Sequence, residues 1–297
     1  MSFRSDLPFY SPTGIYPALT RRIVELATPS LILKQLLVDL PLEQGASVDI
    51  PKESGARVVY LVKTPEGGKI VVDTTPYTKV TVTPEKWALA DFLTREMLED
   101  VNPIVPIVDT KIRRLSRRFA LTIEKAILDT MDAAVPSENV ISATGKSLFY
   151  TGTEATLTGT LGQYDIINAI KAIKQKNLVP EYLIVSPTRE ADVEKLPHFS
   201  SALHYGESVN LTGALGTIYG LTVLTSPIIP DTAAYVVSVG KNASAAWEPL
   251  GFLVWKRPLS VETEYDPSTQ SHFIYLSVRF APVITSGYNI AKISFQG

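Results

Sequence analysis

Cysteine is absent from this sequence, and histidine occurs only three times in 297 residues. Without cysteine there is no disulfide framework, no thiolate nucleophile and no thiolate metal ligand. That composition fits a reducing compartment. His198, His204 and His272 are scattered and lack the close carboxylates that a metal constellation needs. They read as solvated or locally bonded. No sign of charge dominates, with 28 Lys and Arg against 30 Asp and Glu, so the chain as a whole does not bind nucleic acid by bulk charge. A long apolar run is missing too. The stretch from Val223 to Val239 is broken by Pro227, Pro230 and Asp231 and cannot cross a bilayer as a helix. The opening MSFRSDLPFYSPTGIYP places Pro, Asp and aromatics where a signal peptide has its apolar core, which predicts synthesis in the cytoplasm.

Chemical motifs are equally scarce. No Gly-x-Ser-x-Gly elbow occurs, and no Gly-x-Gly-x-x-Gly follows a strand. Thr144-Gly145-Lys146-Ser147 echoes the end of a phosphate-binding loop, but Val140 stands where that motif requires Gly. Glu96, Glu99 and Asp100 cluster at a predicted helix end, where a solvated face outweighs acid–base chemistry. Asn210-Leu211-Thr212 and Asn242-Ala243-Ser244 match the glycosylation triplet by chance if the chain is not secreted. The expectation is a protein that is not an enzyme, with no catalytic residues, no cofactor and no metal.

Apolar residues, by contrast, are plentiful at 45%, and the mean hydropathy of +0.12 is high for a soluble protein. Surface of that kind is most simply covered by further copies of the chain. Residues 1–45 read as an arm, with apolar anchors in two short helical patches after Pro17 and Pro29 but no core of its own. β patterning runs from Ala46 to about Lys86, and a helix is predicted over Asp91–Asp100. Asp109 is expected to cap the longest helix, Thr110 to about Asp132, apolar at Ile112, Leu115, Phe119, Ile123, Ile127 and Met131. Residues 135–162 are turn-rich. After them come a helix over Tyr164–Lys176, a strand at Tyr182–Val185, a short helix from Ser186 to Leu196 and a connector from Gly213 to Gly220. Strands are then expected at Leu221–Leu224, Ala234–Val239, Leu259–Tyr265, Phe273–Phe280 and Tyr288–Phe295. The class is α+β, without strict βαβ alternation.

Two features ask for a partner. Residues 57–82, RVVYLVKTPEGGKIVVDTTPYTKVTV, form a predicted hairpin whose tip carries Gly67 and Gly68. Its apolar positions include Val58, Tyr60, Val62, Ile70 and Val72, and its first run is apolar on both faces. A lone two-stranded hairpin is marginal in water, and about six large apolar side chains left exposed would each forfeit roughly 1.5–3 kcal/mol. Burial in the chain's own core or against a sister copy answers this, and the second also accounts for the arm. The other feature is Lys111-Ile112-Arg113-Arg114-Leu115-Ser116-Arg117-Arg118 on the long helix. Arg113, Arg114, Arg117 and Arg118 suit either sequence-blind contact with DNA phosphates or salt bridges to neighbouring acids.

In this order of elements the chain resembles the major capsid proteins of tailed bacteriophages, the Hong Kong phage type fold shared with encapsulins. The residues that carry the likeness run through the chain. Tyr77–Val82 leads into Leu89–Asp100, Thr110–Asp132 resembles a spine helix, and Tyr182–Thr188 is similar to a central strand and turn. Gly216–Val223 resembles the approach to a further strand, and Leu259–Phe280 a late hairpin. The resemblance implies an N-terminal arm at 1–45 and an extended β-hairpin loop at 46–88. It implies a peripheral domain with the spine helix at 89–140 and 259–297, and a central axial domain at 141–258. It also implies a shell subunit arranged in pentamers and hexamers of an icosahedral capsid around double-stranded DNA. The implied partners are copies of itself, a portal and a separate scaffolding protein, with no membrane, and assembly of the virion capsid takes place in the host cytoplasm. Some relatives crosslink a loop Lys to an Asn; Lys63, Lys69 and Asn289 are present, but nothing in their spacing pairs them. Two other readings stand beside this one: an encapsulin shell holding a cargo enzyme, and an α+β enzyme whose active site has no recognised motif.

Overall fold

The computed structural model describes residues 17–27, 31–53, 77–99, 107–148, 154–156, 159–196, 217–240 and 249–295. The finger residues Val58, Tyr60, Val62, Gly67, Gly68, Ile70 and Val72 lie outside these, as do His198 and His204. In chain order the first elements are α1 (Pro17–Ala27), β1 (Val38–Pro41), β2 (Val48–Glu53), β3 (Tyr77–Val82), β4 (Glu85–Thr94), α2 (Arg95–Glu99) and α3 (Ile107–Ala134). The short strands β5 (Val140–Ser142), β6 (Lys146–Leu148) and β7 (Glu154–Thr156) follow, and then α4 (Gln163–Lys174), β8 (Tyr182–Val185) and α5 (Pro187–Glu194). The chain closes with β9 (Thr217–Ile218), β10 (Leu221–Thr225), β11 (Ala233–Val237), β12 (Gly251–Asp266), β13 (Ser271–Ile284) and β14 (Ile290–Ser294).

The strands sort into two main sheets, one of four strands ordered β1-β12-β13-β4 and one of six ordered β5-β14-β11-β8-β10-β9. The amphipathic helix α3 packs on the first sheet. All six of its expected apolar positions are buried, and they share a core with Leu253, Leu259, Leu276, Val278 and Phe280 of β12 and β13. Its far end is tied to the second sheet, where Asp132 accepts from Tyr235 Oη at 2.9 Å and Lys292 Nζ at 2.5 Å. There Gly287 lies so close to Ala134 that a Cβ would meet the Ala134 carbonyl oxygen. The helix is therefore a strut between the two sheets. It begins at Ile107 rather than at Thr110, so Asp109 sits in its first turn. An acid there favours the helix dipole, and Asp109 also pairs with Arg22 of α1 at 2.6 Å.

The six-stranded sheet has its own core, in which Ile166, Ala169, Ile170 and Ile173 of α4 pack on Leu183, Val236 and Ile293. Ser186 caps α5 by accepting from Arg189 N at 3.3 Å, with Pro at its start.

Three expectations are corrected. The helix predicted over Asp91–Asp100 begins only at Arg95, because Asp91–Thr94 continue β4 in a register with β13 that runs from Ser271↔Thr94 to Phe280↔Glu85. Ten ladder partners outweigh four residues of helix propensity. The patch after Pro29 is a single 3-10 turn, Leu33–Leu36, and the chain then enters the four-stranded sheet as β1, parallel to β12. The last strand, grouped by sequence with 259–297, pairs instead with β11 and β5 in the six-stranded sheet of the 141–258 segment.

Candidate assembly surface

Among the described residues β2 and β3 pair only with each other, in a register from Val48↔Val82 to Glu53↔Tyr77, and join neither large sheet. This ribbon is the stem of the predicted finger. Its root is anchored by Ile50 and Val82, which pack on Val254 and Val283 where β12 and β13 meet. Its other face is polar and exposed, with Lys79 Nζ 2.8 Å and Thr81 Oγ1 2.6 Å from Asp49. Alternation of this kind buries one face at the root and leaves the ribbon free to project.

All four arginines of α3 are exposed, and helical spacing splits them into two rows. Arg114 and Arg118 face β4. Arg118 borders an apolar groove beside that strand, and Arg114 acts on Asp91 of the strand itself. Burial opposes the charge of Asp91, but the Lys111 ammonium at 2.7 Å, the Phe92 N–H and Arg114 outweigh it and hold the carboxyl below its usual range. Arg113 and Arg117 lie on the flank toward the arm. Arg113 comes no nearer to Asp109 than 4.0 Å, and Arg117 has no acidic partner among the described residues.

Glu124 was not legible as special from sequence. It is 1% exposed, and its carboxylate accepts backbone N–H bonds from Leu33 at 2.9 Å and Lys34 at 3.2 Å. Burial pushes this carboxyl up to about 7, against the pull of the N–H groups of Leu33, Lys34 and Ile32. One side chain of the spine helix thus clasps the turn of the arm. A signal existed: Glu124 sits one turn from Ala120 and one from Leu128, both buried, so it occupies the edge of the apolar stripe.

The Thr144–Ser147 stretch also has a structural explanation. Asp165, fully buried, accepts from Thr144 N at 2.8 Å, Thr144 Oγ1 at 2.7 Å, Gly145 N at 2.9 Å and Gly162 N at 3.0 Å. Those N–H groups already hold a carboxylate and cannot cradle a phosphate. Gly145 has φ +63°, which favours glycine at this turn. Asn289 is fully buried and donates to Ser238 O at 3.3 Å, so it cannot meet a lysine from another chain. His272 is exposed beside Tyr265, and no group of three metal-binding side chains occurs among the described residues. Glu96 is exposed on α2, while Asp100 lies outside the described residues.

A spine helix bridging two sheets, an arm sewn along it and a projecting β ribbon together make the phage major capsid fold. The phage capsid protein family model matches residues 77–293, and the chain belongs to that family. It is a structural major capsid protein. No curated protein matches it in sequence. Solved structures similar to it include a chain of the cyanophage P-SCSP1u capsid, at 12% identity and TM-score 0.64, covering 88% of this chain and 87% of that one. A chain of Mycobacterium phage Che8 is 16% identical with TM-score 0.61, over 84% of this chain and 85% of that one. The holo-SrpI encapsulin complex of Synechococcus elongatus PCC 7942 is 9% identical with TM-score 0.57, over 88% and 86%.

Proposed function

We propose that this subunit assembles through pentamers and hexamers into an icosahedral shell that encloses double-stranded DNA, in the host cytoplasm, with a portal and a separate scaffolding protein. The observation that carries the reading is the β2–β3 ribbon, which is rooted in the core yet belongs to neither sheet. Its outer end leads into residues 54–76, whose apolar runs call for cover that a neighbouring subunit supplies. In this reading the finger of one copy lies over the next, and the arm and spine helix form the rigid base that receives it. The four-stranded sheet with α3 acts as the peripheral body, and the six-stranded sheet with α4 and α5 as the axial body.

The DNA contacts fall to Arg113 and Arg117, the row on the flank toward the arm, where the nearest recorded acid is Asp109 at 4.0 Å from Arg113. Their charge gives sequence-blind, salt-sensitive binding to phosphates. The variant Arg113→Gln/Arg117→Gln should form shells of normal shape that retain several-fold less nucleic acid, read by the ratio of absorbance at 260 and 280 nm across a salt series. Shells with an unchanged ratio would count against this assignment. A protein cargo in place of nucleic acid in the parent shells would favour the encapsulin reading, for which the Synechococcus neighbour speaks.

A further inference from the structure

Between α3 and the four-stranded sheet lies an apolar groove of about 450 Å³. Its floor is made by Leu115 and Phe119 of α3 and Leu276 and Val278 of β13, all buried. Trp87 of β4 and Leu121 of α3 also line it and are 40% and 36% exposed. The Trp87 ring stacks on Phe280 at 5.9 Å, and Phe280 in turn lies 5.5 Å from Trp255. That wall is held by the core, so the groove is formed before anything enters it.

The helix side of the groove is cationic. Arg118 and Lys125 both line it, and no carboxylate does. They stand seven residues apart on α3, about 10 Å along the helix and on one side of it. Arg118 is exposed and has no acidic partner among the described residues. Lys125 reaches Asp129 at 3.2 Å, an exposed pair one turn apart that holds its partners weakly. The Thr122 hydroxyl between the two cations donates to Arg118 O at 2.9 Å. Donors for an anion therefore come from Arg118 and Lys125.

Size and charge together define the occupant. A volume of this order with an apolar lining and a few polar groups is that of a small-molecule site. A standard protein interface buries about 800 Å² on each partner, and two exposed apolar side chains do not supply that. The floor calls for an apolar body and the helix side for one negative head.

We propose that this groove binds a small amphipathic anion, of the class of a medium-chain carboxylate, with its chain along Leu115, Phe119, Leu276 and Val278 and its head between Arg118 and Lys125. This goes beyond the shell reading and needs only the folded subunit. Calorimetric titration of the unassembled full-length chain with octanoate, decanoate and decanol, all at submicellar concentrations, tests it. One saturable site per chain is expected. Each methylene added inside the groove tightens binding about fourfold, so decanoate should bind about fifteenfold tighter than octanoate. Arg118→Gln/Lys125→Gln should weaken decanoate about tenfold or more and leave decanol unchanged, because both side chains lie at the surface and the floor is intact. Trp87→Phe should keep the binding and lose the fluorescence change that decanoate causes in the parent. No saturable site overturns the proposal, as does a double variant that binds decanoate as the parent does or loses decanoate and decanol equally. Attachment to phosphatidylglycerol vesicles without binding of free decanoate also overturns it, since the partner is then a membrane surface and not a single amphiphile.

Discussion

Replacing residues 54–76 with a short Gly-Ser turn is expected to abolish shells while leaving the subunit folded. The stem β2–β3 survives this change, because its root contacts through Ile50 and Val82 lie outside the excised segment. What disappears is the finger's two apolar runs, Val58–Val62 and Ile70–Val72. A contact worth about 3 kcal/mol changes each association constant by roughly a hundredfold. A closed shell repeats that contact on every subunit, so the effect on assembly compounds. Sedimentation velocity should show only a small species, with a thermal transition within a few degrees of the parent's unassembled form. Normal particles from this variant would contradict the role given to the finger.

The second large effect concerns Glu124. Glu124→Ala leaves three N–H groups of the arm turn, at Ile32, Leu33 and Lys34, without their carboxylate acceptor. Each orphaned buried donor costs about 1–3 kcal/mol, so the variant should be destabilised by several kcal/mol and its residues 31–37 should become cleavable by protease. The cost should depend on pH, and its direction follows from where the proton is held. The folded carboxyl titrates at about 7 against an ordinary 4.5. Between those values the folded state keeps a proton that the unfolded state has lost. Stability from this group is therefore complete below about 4.5 and is lost as pH rises through about 7, by an amount on the order of 3 kcal/mol. Glu124→Gln, which carries no charge, should flatten that slope. Thermal unfolding of parent and Gln variant at pH 5, 6, 7 and 8 checks it, and parallel slopes for the two would refute the assignment.

Where the sequence could be read, a local rule sufficed. Tyr182–Val185 is an unbroken apolar run in the middle of a sheet, and β8 has those bounds. The three-and-four spacing of α3 and the Ser186-Pro187 start of α5 were equally plain. The misreadings share one physical cause: long-range pairing overrode local pattern. Asp91–Thr94 look helical beside Arg95–Glu99, yet β13 claims them as strand. The predicted strand at Leu259–Tyr265 is only part of β12, which extends back to Gly251. The pattern fails at Lys256-Arg257-Pro258, where the ladder is irregular between Trp255 and Ser260 and so accommodates a residue that cannot donate. The clasp of Glu124 and the strap around Asp165 were hidden for the same reason. Their partners lie about 90 and 20 residues away, and a lone acid in a helix pattern reads as solvated until those partners are known.

Electron microscopy of the chain expressed alone or with the proposed scaffolding protein tests the central claim most directly. The account predicts closed spherical shells built from this one subunit. A uniform species of tens of kilodaltons under both conditions, with no shells or capsomers, would contradict it.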